Sequence, residues 1–399
     1  MIVLTLNSGS SSFKFGLYRV EGSEPELLMT GENDGGELTA QDAGGSPLPG
    51  TPSRAEAPEV TIQTIVTLLA RANLPVPGAV GHRIVHGGPS LRTHCLIDDD
   101  VERKLEEATG LSPLHAPAAL ALIRLAKDAW PRVPQAACLD TAFHADMPDI
   151  ARTLPVSPAL RAEGVQRYGF HGLSCESIVR QLCPDLPQRL IIAHLGSGAS
   201  VTAVRDGRSI DTSMGLTPSG GIVMATRSGD LDPGILIYLL REKGFDAATL
   251  ENLVDRQSGL LGISSLSGDL RELHKAETSN PDARLAIAMF CLSVAKEIAG
   301  MIVALDGIDA IVFTGGIGEH DAAVRATIVR HLDWAGVRLD EARNEAAVDG
   351  IEHSVSRCHI RILPSREDEQ IAWHTANSLP SIAGRWPCER RRARLEASD

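Results

Sequence analysis

The sequence has no excess of positive charge. Its 38 Lys and Arg residues are outnumbered by 51 Asp and Glu, which gives a formal net charge of −13 over 399 residues. This balance argues against a general binder of nucleic acid or of acidic membranes, although it leaves room for a local basic site that holds an anion. The arginine-rich stretch 390–394 is predicted to be a solvated end rather than a nucleic-acid-binding arm.

Signals for export and membrane insertion are also missing. No cationic region precedes an apolar stretch at the N-terminus, so we expect no signal peptide and a cytoplasmic protein. The longest apolar stretch, residues 285–305, contains Lys296 and Glu297 and is predicted to be a buried helix rather than a membrane span. The seven cysteines are odd in number and show no C-x-x-C spacing, which favours reduced thiols over a disulfide framework or a zinc site.

Three common catalytic and nucleotide-binding motifs are absent as well. The chain has no G-x-x-x-x-G-K-[ST] loop, and the glycines at 315–318 have the wrong spacing for a dinucleotide fingerprint. His82 and His86 are four residues apart, but Arg83 stands where a zinc protease would need glutamate. The sequence therefore predicts neither a P-loop enzyme nor a dinucleotide oxidoreductase, and it makes a zinc hydrolase a weak hypothesis.

Two glycine–serine turns are what the sequence does contain, at 7–12 and at 194–200, each between two apolar runs. Such strand-turn-strand tips offer backbone N–H groups that form an anion-binding nest. Lys14 lies between Phe13 and Phe15, so in a strand it faces away from both and toward the ligand side of the turn. Either turn alone could be an ordinary hairpin, but two in matching contexts predict a duplicated scaffold that holds a polyphosphate.

Arginines beside glycine-rich segments suggest phosphate transfer. Arg83 stands in 81–88, and Arg227 is the one cation in the small-residue stretch 211–233. Arginine forks match carboxylate and phosphate oxygens two at a time, so the pair could clamp a transferring phosphate. Each arginine alone could equally be a surface ion pair.

Three further features have both a structural and a functional interpretation. Asp140 follows a short strand, where it could orient a nucleophile or a metal-bound water. His171, between glycine and aromatic residues, could be a structural histidine or a donor to phosphate oxygen. The glycines at 315–318 could form a shelf for a nucleoside or a simple strand-to-helix turn.

Alternating strands and helices favour an α/β architecture, and the chain length favours two domains. Residues 31–58, rich in Gly, Pro, Asp and Ser, are predicted to be an exposed loop.

Together these motifs resemble the acetate kinase family, within the superfamily of sugar kinases, heat-shock chaperones and actin. The resemblance runs from residue 1 to about 378, through segments 6–14, 81–88, 140–144, 168–172, 194–200, 214–233 and 315–319. It implies two domains of a duplicated ribonuclease-H-like, actin-like ATPase fold with the nucleotide in the interdomain cleft. The N-terminal domain would comprise 1–142 and 368–399, and the C-terminal domain 143–367.

The resemblance also implies a reaction, the Mg²⁺-dependent (or Mn²⁺-dependent) reversible transfer of the ATP γ-phosphate to acetate, giving acetyl phosphate and ADP. The implied catalytic residues are Asp140, Arg83, His171, Arg227 and His115, and the implied metal ligands are Asn7 and Glu367. The implied nucleotide site comprises Ser10, Ser12, Lys14, His194, Leu195, Gly196, Ser197, Gly198, Asp269, Leu270, Arg271, Gly316, Ile317, Gly318, Glu319 and His320.

A small apolar pocket for the acetate methyl group is implied as well, lined by Val85, Leu114, Phe170 and Pro218 beside Arg83. Val85 favours acetate over propionate. The family further implies a homodimer. The rival hypothesis is a non-catalytic ATP-binding module like actin or the chaperones, but such a switch needs neither paired arginines nor an apolar pocket.

Some positions depart from the family pattern. Ser197 and His320 stand where asparagine is usual, and Cys175 where histidine is. Segment 365–368 (Ser-Arg-Glu-Asp) replaces Thr-Asn-Glu-Glu, and Ser-Gly at 219–220 replaces Leu-Glu. None of these changes removes a charged group from the implied reacting centre.

Overall fold

The computed structural model describes residues 1–9, 12–22, 24–34, 36–51, 58–113 and 115–379. By their internal contacts these residues form two compact units. The first unit contains Met1–Ala145, Gly172–Pro184 and the segment that begins at Arg366, and the second contains Asp146–His171 and Asp185–Ser365. The sequence-based boundaries placed 172–184 in the other domain. This segment groups with the first unit because its helix packs on the helix that begins at Glu367.

The strands, in chain order, are β1 Ile2–Ser8, β2 Ser12–Glu21, β3 Glu24–Asp34, β4 Glu37–Asp42, β5 Ala79–Ile84, β6 Cys95–Leu96, β7 Gln135–Leu139, β8 Arg189–Leu195, β9 Ala199–Arg205, β10 Arg208–Thr212, β11 Ala310–Thr314 and β12 His359–Ile362. The helices are α1 Pro58–Arg71, α2 Asp99–Glu107, α3 Ala116–Ala129, α4 Asp149–Arg152, α5 Pro158–Ala162, α6 Gly172–Leu182, α7 Pro233–Glu242, α8 Ala247–Arg256, α9 Gly259–Ser264, α10 Leu270–Ala276, α11 Pro281–Leu305, α12 Gly315–His320, α13 Ala322–Arg330, α14 Glu341–Glu345 and α15 Glu367–Asn377.

The two units repeat one strand arrangement. The sheet of the first unit has the order β4-β3-β2-β1-β5-β7-β6, and that of the second has the order β10-β9-β8-β11-β12. In each sheet an antiparallel meander is followed by parallel strands: β1 pairs in parallel with β5, and β8 with β11. This order, third-second-first-fourth-fifth, is that of a ribonuclease-H-like sheet, and the expected duplicated α/β fold is confirmed.

Strand alternation sets the inner face of the first sheet. Phe13 and Phe15 pack in the core cluster with their rings stacked, and Lys14 between them is exposed. The predicted loop 31–58 is wrong in part, because 31–34 complete β3 and β4 follows it. Leu38 and Ala40 of β4 are buried while their neighbours face outward, which is the period-two pattern of a half-buried strand.

Two helices begin at residues whose side chains accept hydrogen bonds from the first backbone amides of the helix. Asn280 accepts hydrogen bonds from the amides of Asp282 and Ala283, and Asp232 accepts one from Gly234, so both act as N-caps before a proline. The apolar helix α11 is, by length and composition alone, a candidate membrane span. It packs against β8, β9, α9, α10 and α13, although part of its surface stays exposed.

Five cysteines are free thiols, namely Cys95, Cys138, Cys175, Cys291 and Cys358.

Candidate active site

A buried polar cluster lies in the first unit. Nε and Nη2 of Arg83 donate to Oδ2 of Asp140 at 3.0 and 2.7 Å, and Nη1 donates to Oδ1 of Asn7 at 3.2 Å. Nδ2 of Asn7 donates in turn to Oδ1 of Asp368 at 2.8 Å and to Oε2 of Glu367 at 3.4 Å. The structure therefore brings together four residues that the sequence predicted for two different tasks, and adds Asp368.

The fold explains why these side chains meet. Asn7, Arg83 and Asp140 stand at or just after the carboxyl ends of β1, β5 and β7, which are neighbouring parallel strands. Ligands bind characteristically at this edge of a parallel sheet. Glu367 and Asp368 begin α15, which lies so close to β5 that a side chain at Gly81 would collide with Thr375. The glycine thus lets the acidic start of α15 reach the strand ends.

Asp140 is unusually placed for a carboxylate. It is 1% exposed, and its Oδ1 has no hydrogen-bond partner among the described residues. Burial raises the pKa of Asp140 to about 6, although the Arg83 guanidinium opposes this rise. A buried acceptor without a partner suits a group that meets a ligand or an ordered water.

The start of α15 concentrates negative charge. Burial raises the pKa of Asp368 despite its hydrogen bond from Asn7, and the charge of Glu367 adds to the rise. Glu367, whose side chain is 15% exposed, lies 3.9 Å from the Arg83 guanidinium. The carboxylates of Asp140 and Glu367 thus share one arginine, and that of Asp368 lies beside them on Asn7. This excess of negative charge favours a bound cation.

The first glycine–serine turn joins β1 to β2, and Lys14 lies directly across from Asn7 in their register. Its ammonium is half exposed and 4.0 Å from Glu32, so a ligand can reach it from solvent. Ser10 and the side chain of Ser12 lie outside the described residues.

A second polar cluster surrounds the turn between β8 and β9, in the second unit. Nδ1 of His171 lies 2.9 Å from Oγ of Ser200, and its ring stacks on that of His194 at 4.2 Å between centroids. A Cβ built on Gly198 would come within 3.3 Å of Nε2 of His171 and of Nη2 of Arg227. Two nitrogen donor groups therefore lie over the bare backbone of a predicted phosphate turn.

A backbone carbonyl holds Arg227 in place, and the Ser200 hydroxyl and the His194 ring contact His171. Nη1 of Arg227 donates to the carbonyl of Pro218 at 2.8 Å, and the side chain is 8% exposed. His171 has a left-handed φ of 57°, which a β-carbon disfavours and which often marks a functional position. Asp230 accepts the amide of Gly221 at 2.7 Å, so its carboxylate shapes the loop that carries Arg227.

The glycines at 315–318, which the sequence predicts as a shelf for the nucleoside, lie in the short helix α12 of the second unit. Gly315 has a φ of 77°, and a side chain there would press on the backbone of Leu195. Oε1 of Glu319 accepts the amides of Gly315 and Ser365, both at 2.9 Å. Gly316 has open space around it, and Ile317, Gly318 and the exposed His320 complete the shelf.

The segment 269–271 caps α10. Asp269 accepts the amide of Arg271 at 2.8 Å and pairs with its guanidinium at 2.6 Å, which lowers the pKa of Asp269. Arg271 is 86% exposed, while Leu270 is buried. The turn residues Leu195, Gly196 and Ser197 lie near this segment, since the amide of Ala225 binds the carbonyl of Ser197 and Gly268 packs on the backbone of Ala225.

The predicted apolar pocket is described only in parts. Val85 is buried in the first unit, while Phe170 is buried in the second, which also contains Pro218. His115, at the start of α3, is 8% exposed. Leu114 lies outside the described residues.

Sequence reasoning missed two elements of the first unit. Asp368 directly follows the predicted metal ligand Glu367. The acidic pair is visible in the sequence, but only Glu367 is predicted to bind the metal. A buried group of His94, Glu176 and His374 gave no local signal, because its members are 82 and 198 residues apart in the chain.

Comparison with known proteins decides the family. The model of the acetokinase family matches residues 2–373. The chain belongs to the acetokinase family. An acetate kinase of Methylocella silvestris is 40% identical over 96% of this chain and 98% of its own length, and one of Deinococcus radiodurans is 41% identical over 94% and 98%.

Solved structures agree with this family assignment. A propionate kinase of Francisella tularensis has a TM-score of 0.88 and 34% identity, over 95% of this chain and all of its own. An acetate kinase of Porphyromonas gingivalis has a TM-score of 0.83 and 32% identity, over 94% and 99%. The acetokinase chain therefore has the fold of carboxylate kinases throughout its two units.

Proposed function

We propose how this chain carries out the reaction of its family, the transfer of the γ-phosphoryl group of ATP to acetate to give acetyl phosphate and ADP. The observation that carries the proposal is the pair of donors, Arg227 and His171, over Gly198 in the second phosphate turn. Phosphoryl transfer depends on positioning and on stabilising charge at the phosphate oxygens. Buried N–H donors that neighbouring protein groups hold in place supply such stabilisation.

Arg83 is assigned to the carboxylate of acetate. Asp140 and Asn7 already take three of its hydrogen bonds, and a guanidinium has five N–H groups, so two remain for a substrate carboxylate. Acetate is ionised at neutral pH, so its attack requires no strong general base. Asp140 then serves to fix Arg83 and to orient groups around the reacting oxygen.

A divalent cation, Mg²⁺ or Mn²⁺, fits the acidic side of this cluster. The available donors are oxygens of carboxylates and an amide, which these ions prefer, and Oδ1 of Asp140 has no partner among the described residues. Asn7 and Glu367 would hold the ion, with Asp368 adjacent. When bound, it neutralises charge on the phosphates of ATP.

The nucleotide is assigned to Lys14 and to the second unit. The turn 194–198 offers backbone amides to the phosphates, and α12 with segment 269–271 lines the place for the nucleoside. Gly316 supports this assignment, because a Cβ built there would meet no atom of the other described segments within 4 Å, its own helix turn and chain neighbours apart. His115 is assigned a supporting role near the substrate.

Acetate is the proposed substrate, and propionate is the second candidate. The propionate kinase of Francisella tularensis is 34% identical, while Val85 narrows the predicted pocket. An extra methylene is worth about 1–3 kcal/mol, so propionate should be a poor but real substrate. Measurement of kcat/KM for acetate, propionate and butyrate tests this, and a preference for propionate would contradict it.

Trapping of the acyl phosphate tests the reaction itself. Purified protein with ATP, Mg²⁺, acetate and hydroxylamine should form acetohydroxamate, and the same mixture without acetate should not. Hydrolysis of ATP without hydroxamate would instead support the actin-like or chaperone-like alternative. Recovery of the reverse reaction, ATP from acetyl phosphate and ADP, checks reversibility.

A homodimer is proposed from the surface of the second unit. Helix α7 has no buried residue, although its sequence is largely apolar, and Ile235, Ile237 and Tyr238 are 41–50% exposed. Large exposed apolar groups on one short helix favour an interface. Light scattering should give twice the chain mass, and Ile237→Glu with Tyr238→Glu should shift it to the monomer. A monomeric wild-type protein would contradict the proposal.

A further inference from the structure

A second polar group of the first unit lies apart from the Arg83 cluster. Oε1 of Glu176 lies 3.3 Å from Nε2 of His94, and its Oε2 lies 2.6 Å from Nε2 of His374. The two imidazole rings stack with centroids 3.7 Å apart. Each of the three side chains is only 12–13% exposed. We call His94, Glu176 and His374 the clasp.

The first arm of the clasp reaches the strand that presents Asp140. Nδ1 of His94 accepts the backbone amide of Leu139 at 3.0 Å. Leu139 is the last residue of β7 and directly precedes Asp140. The side chain of His94 thus holds the Cys138–Leu139 peptide, one residue before Asp140.

The second arm reaches the helix that presents Glu367. His374 follows Glu367 by seven residues, or two helical turns, so both stand on the same side of α15. Two further contacts join α15 to α6: Oγ of Ser177 accepts the amide of Arg366 at 3.2 Å, and Arg180 pairs with Glu369. Glu176 of α6 therefore links the Asp140 strand to the helix that carries Glu367.

The clasp has the donor types of a zinc site, and its ligand atoms lie within 4.8 Å of one another. The direction of one hydrogen bond argues against a metal. Because Nδ1 of His94 accepts a backbone N–H, the ring proton must sit on Nε2. A metal would need the lone pair of that same nitrogen, whereas a proton there donates to Glu176.

Charge in the clasp is consistent with a hydrogen-bonded network. Burial alone would raise the pKa of Glu176, but the two histidines outweigh burial and hold that pKa well below its usual range. Burial lowers the pKa of His374 to about 4, so its ring is neutral at neutral pH. The Glu176 carboxylate thus lies between two imidazole rings, and the ring of His374 is neutral.

We propose that the clasp positions Asp140 relative to Glu367, so that His94, Glu176 and His374 are positioning residues for phosphoryl transfer. The inference rests on the proposed function, since it assigns catalytic work to Asp140 and a metal to Glu367. A displacement of about 1 Å at a reacting centre can cost about 10²-fold in rate. Loss of the clasp should therefore lower turnover more than nucleotide binding, whose assigned residues lie mainly in the second unit.

Two variants and two matched controls test the clasp. Glu176→Gln and His374→Phe should each lower kcat by about 10- to 100-fold, with KM for ATP changed less than about threefold. The same substitutions in the second unit, Glu352→Gln and His359→Phe, alter a pair joined at 3.0 Å whose histidine is 75% exposed. These controls should keep wild-type turnover, and clasp variants that match them would overturn the proposal.

Nuclear magnetic resonance of the wild-type protein gives a test that does not depend on a variant folding. The ¹⁵N pattern of the His94 ring should show a proton on Nε2 and none on Nδ1. Addition of Zn²⁺ alone should not change it. The opposite tautomer, or stoichiometric Zn²⁺ binding that His374→Phe removes, would overturn the proposal in favour of a metal site.

The ring measurement also separates this inference from the proposed reaction. A wild-type protein that forms no acetohydroxamate contradicts the reaction, whatever the state of His94. An active wild-type protein whose His94 carries its proton on Nδ1 contradicts the clasp and leaves the reaction intact.

Discussion

Replacement of Arg227 by alanine should remove most turnover and leave the protein folded. Arg227 is 8% exposed, and its Nη2 lies 3.3 Å from the Cβ position of Gly198, against the predicted phosphate turn. An arginine that stabilises the charge of a transferring phosphoryl group contributes about 10³-fold or more to kcat. A factor of 10³ corresponds to about 4 kcal/mol of activation free energy. We therefore expect kcat to fall about 10³-fold in Arg227→Ala.

The cost to stability should be smaller. The substitution removes the hydrogen bond at 2.8 Å to the carbonyl of Pro218. Leaving one buried polar group without a partner costs about 1–3 kcal/mol. A folded domain has a free energy of unfolding of about 5–15 kcal/mol, so the variant should remain native.

Hydroxamate formation over a range of ATP and acetate concentrations gives kcat and both KM values, and thermal unfolding reports the fold. Arg338→Ala is the matched control, because Arg338 is half exposed and pairs at the surface with Asp333 at 2.7 Å. Arg227→Lys keeps the charge but not the planar fork, so it should recover only part of the loss. A folded Arg227→Ala protein with turnover within about threefold of wild type would refute the reasoning.

Three other substitutions or conditions probe the same chemistry. Gly198→Ala adds a methyl group 3.3 Å from Arg227, so kcat/KM for ATP should fall about tenfold or more. Gly300→Ala is the control and should leave kcat/KM unchanged, because a Cβ there meets no other described atom within 4 Å outside its own helix. Equal effects of the two substitutions would contradict this prediction. Burial raises the pKa of Asp140 to about 6, so its carboxylate becomes protonated below that pH. The value of kcat/KM for acetate should then fall about tenfold for each pH unit below 6. A flat pH profile down to about pH 5 would contradict a role for the ionised carboxylate. Val85→Ala should shift the kcat/KM ratio toward propionate by about tenfold, and an unchanged ratio would place Val85 outside the pocket.

Local patterns predicted local structure well. Strand alternation placed Phe13 and Phe15 inside and Lys14 outside, as observed. The caps at Asp232 and Asn280 were readable because a short acceptor side chain before a proline satisfies the first helix amides. Such features depend on residues within a few positions of one another.

Residue composition gave a wrong prediction for part of segment 31–58, where the alternation of apolar residues was the better guide. Residues 31–58 contain many glycines and prolines, and this suggested a loop. The alternation of Leu38 and Ala40 within it was the better signal, because a strand at the edge of a sheet needs only one buried face. The packing partner of α6 could not be predicted from the sequence either. The pattern of a helix indicates which of its faces is apolar, but not which unit packs against that face.

The two polar groups of the first unit show where sequence reasoning ends. Arg83 and Asp140 are 57 positions apart, and Asn7 and Asp368 are 361 apart. The first three could be named because each stands in a segment that resembles a known family. The clasp has no such segment, and histidine and glutamate occur widely on surfaces. Only the antiparallel pairing of β7 with β6, which His94 directly precedes, and the packing of α15 on α6 bring His94, Glu176 and His374 within hydrogen-bond reach. The direction of a single backbone hydrogen bond then decides between a proton and a metal, and no sequence pattern contains that information.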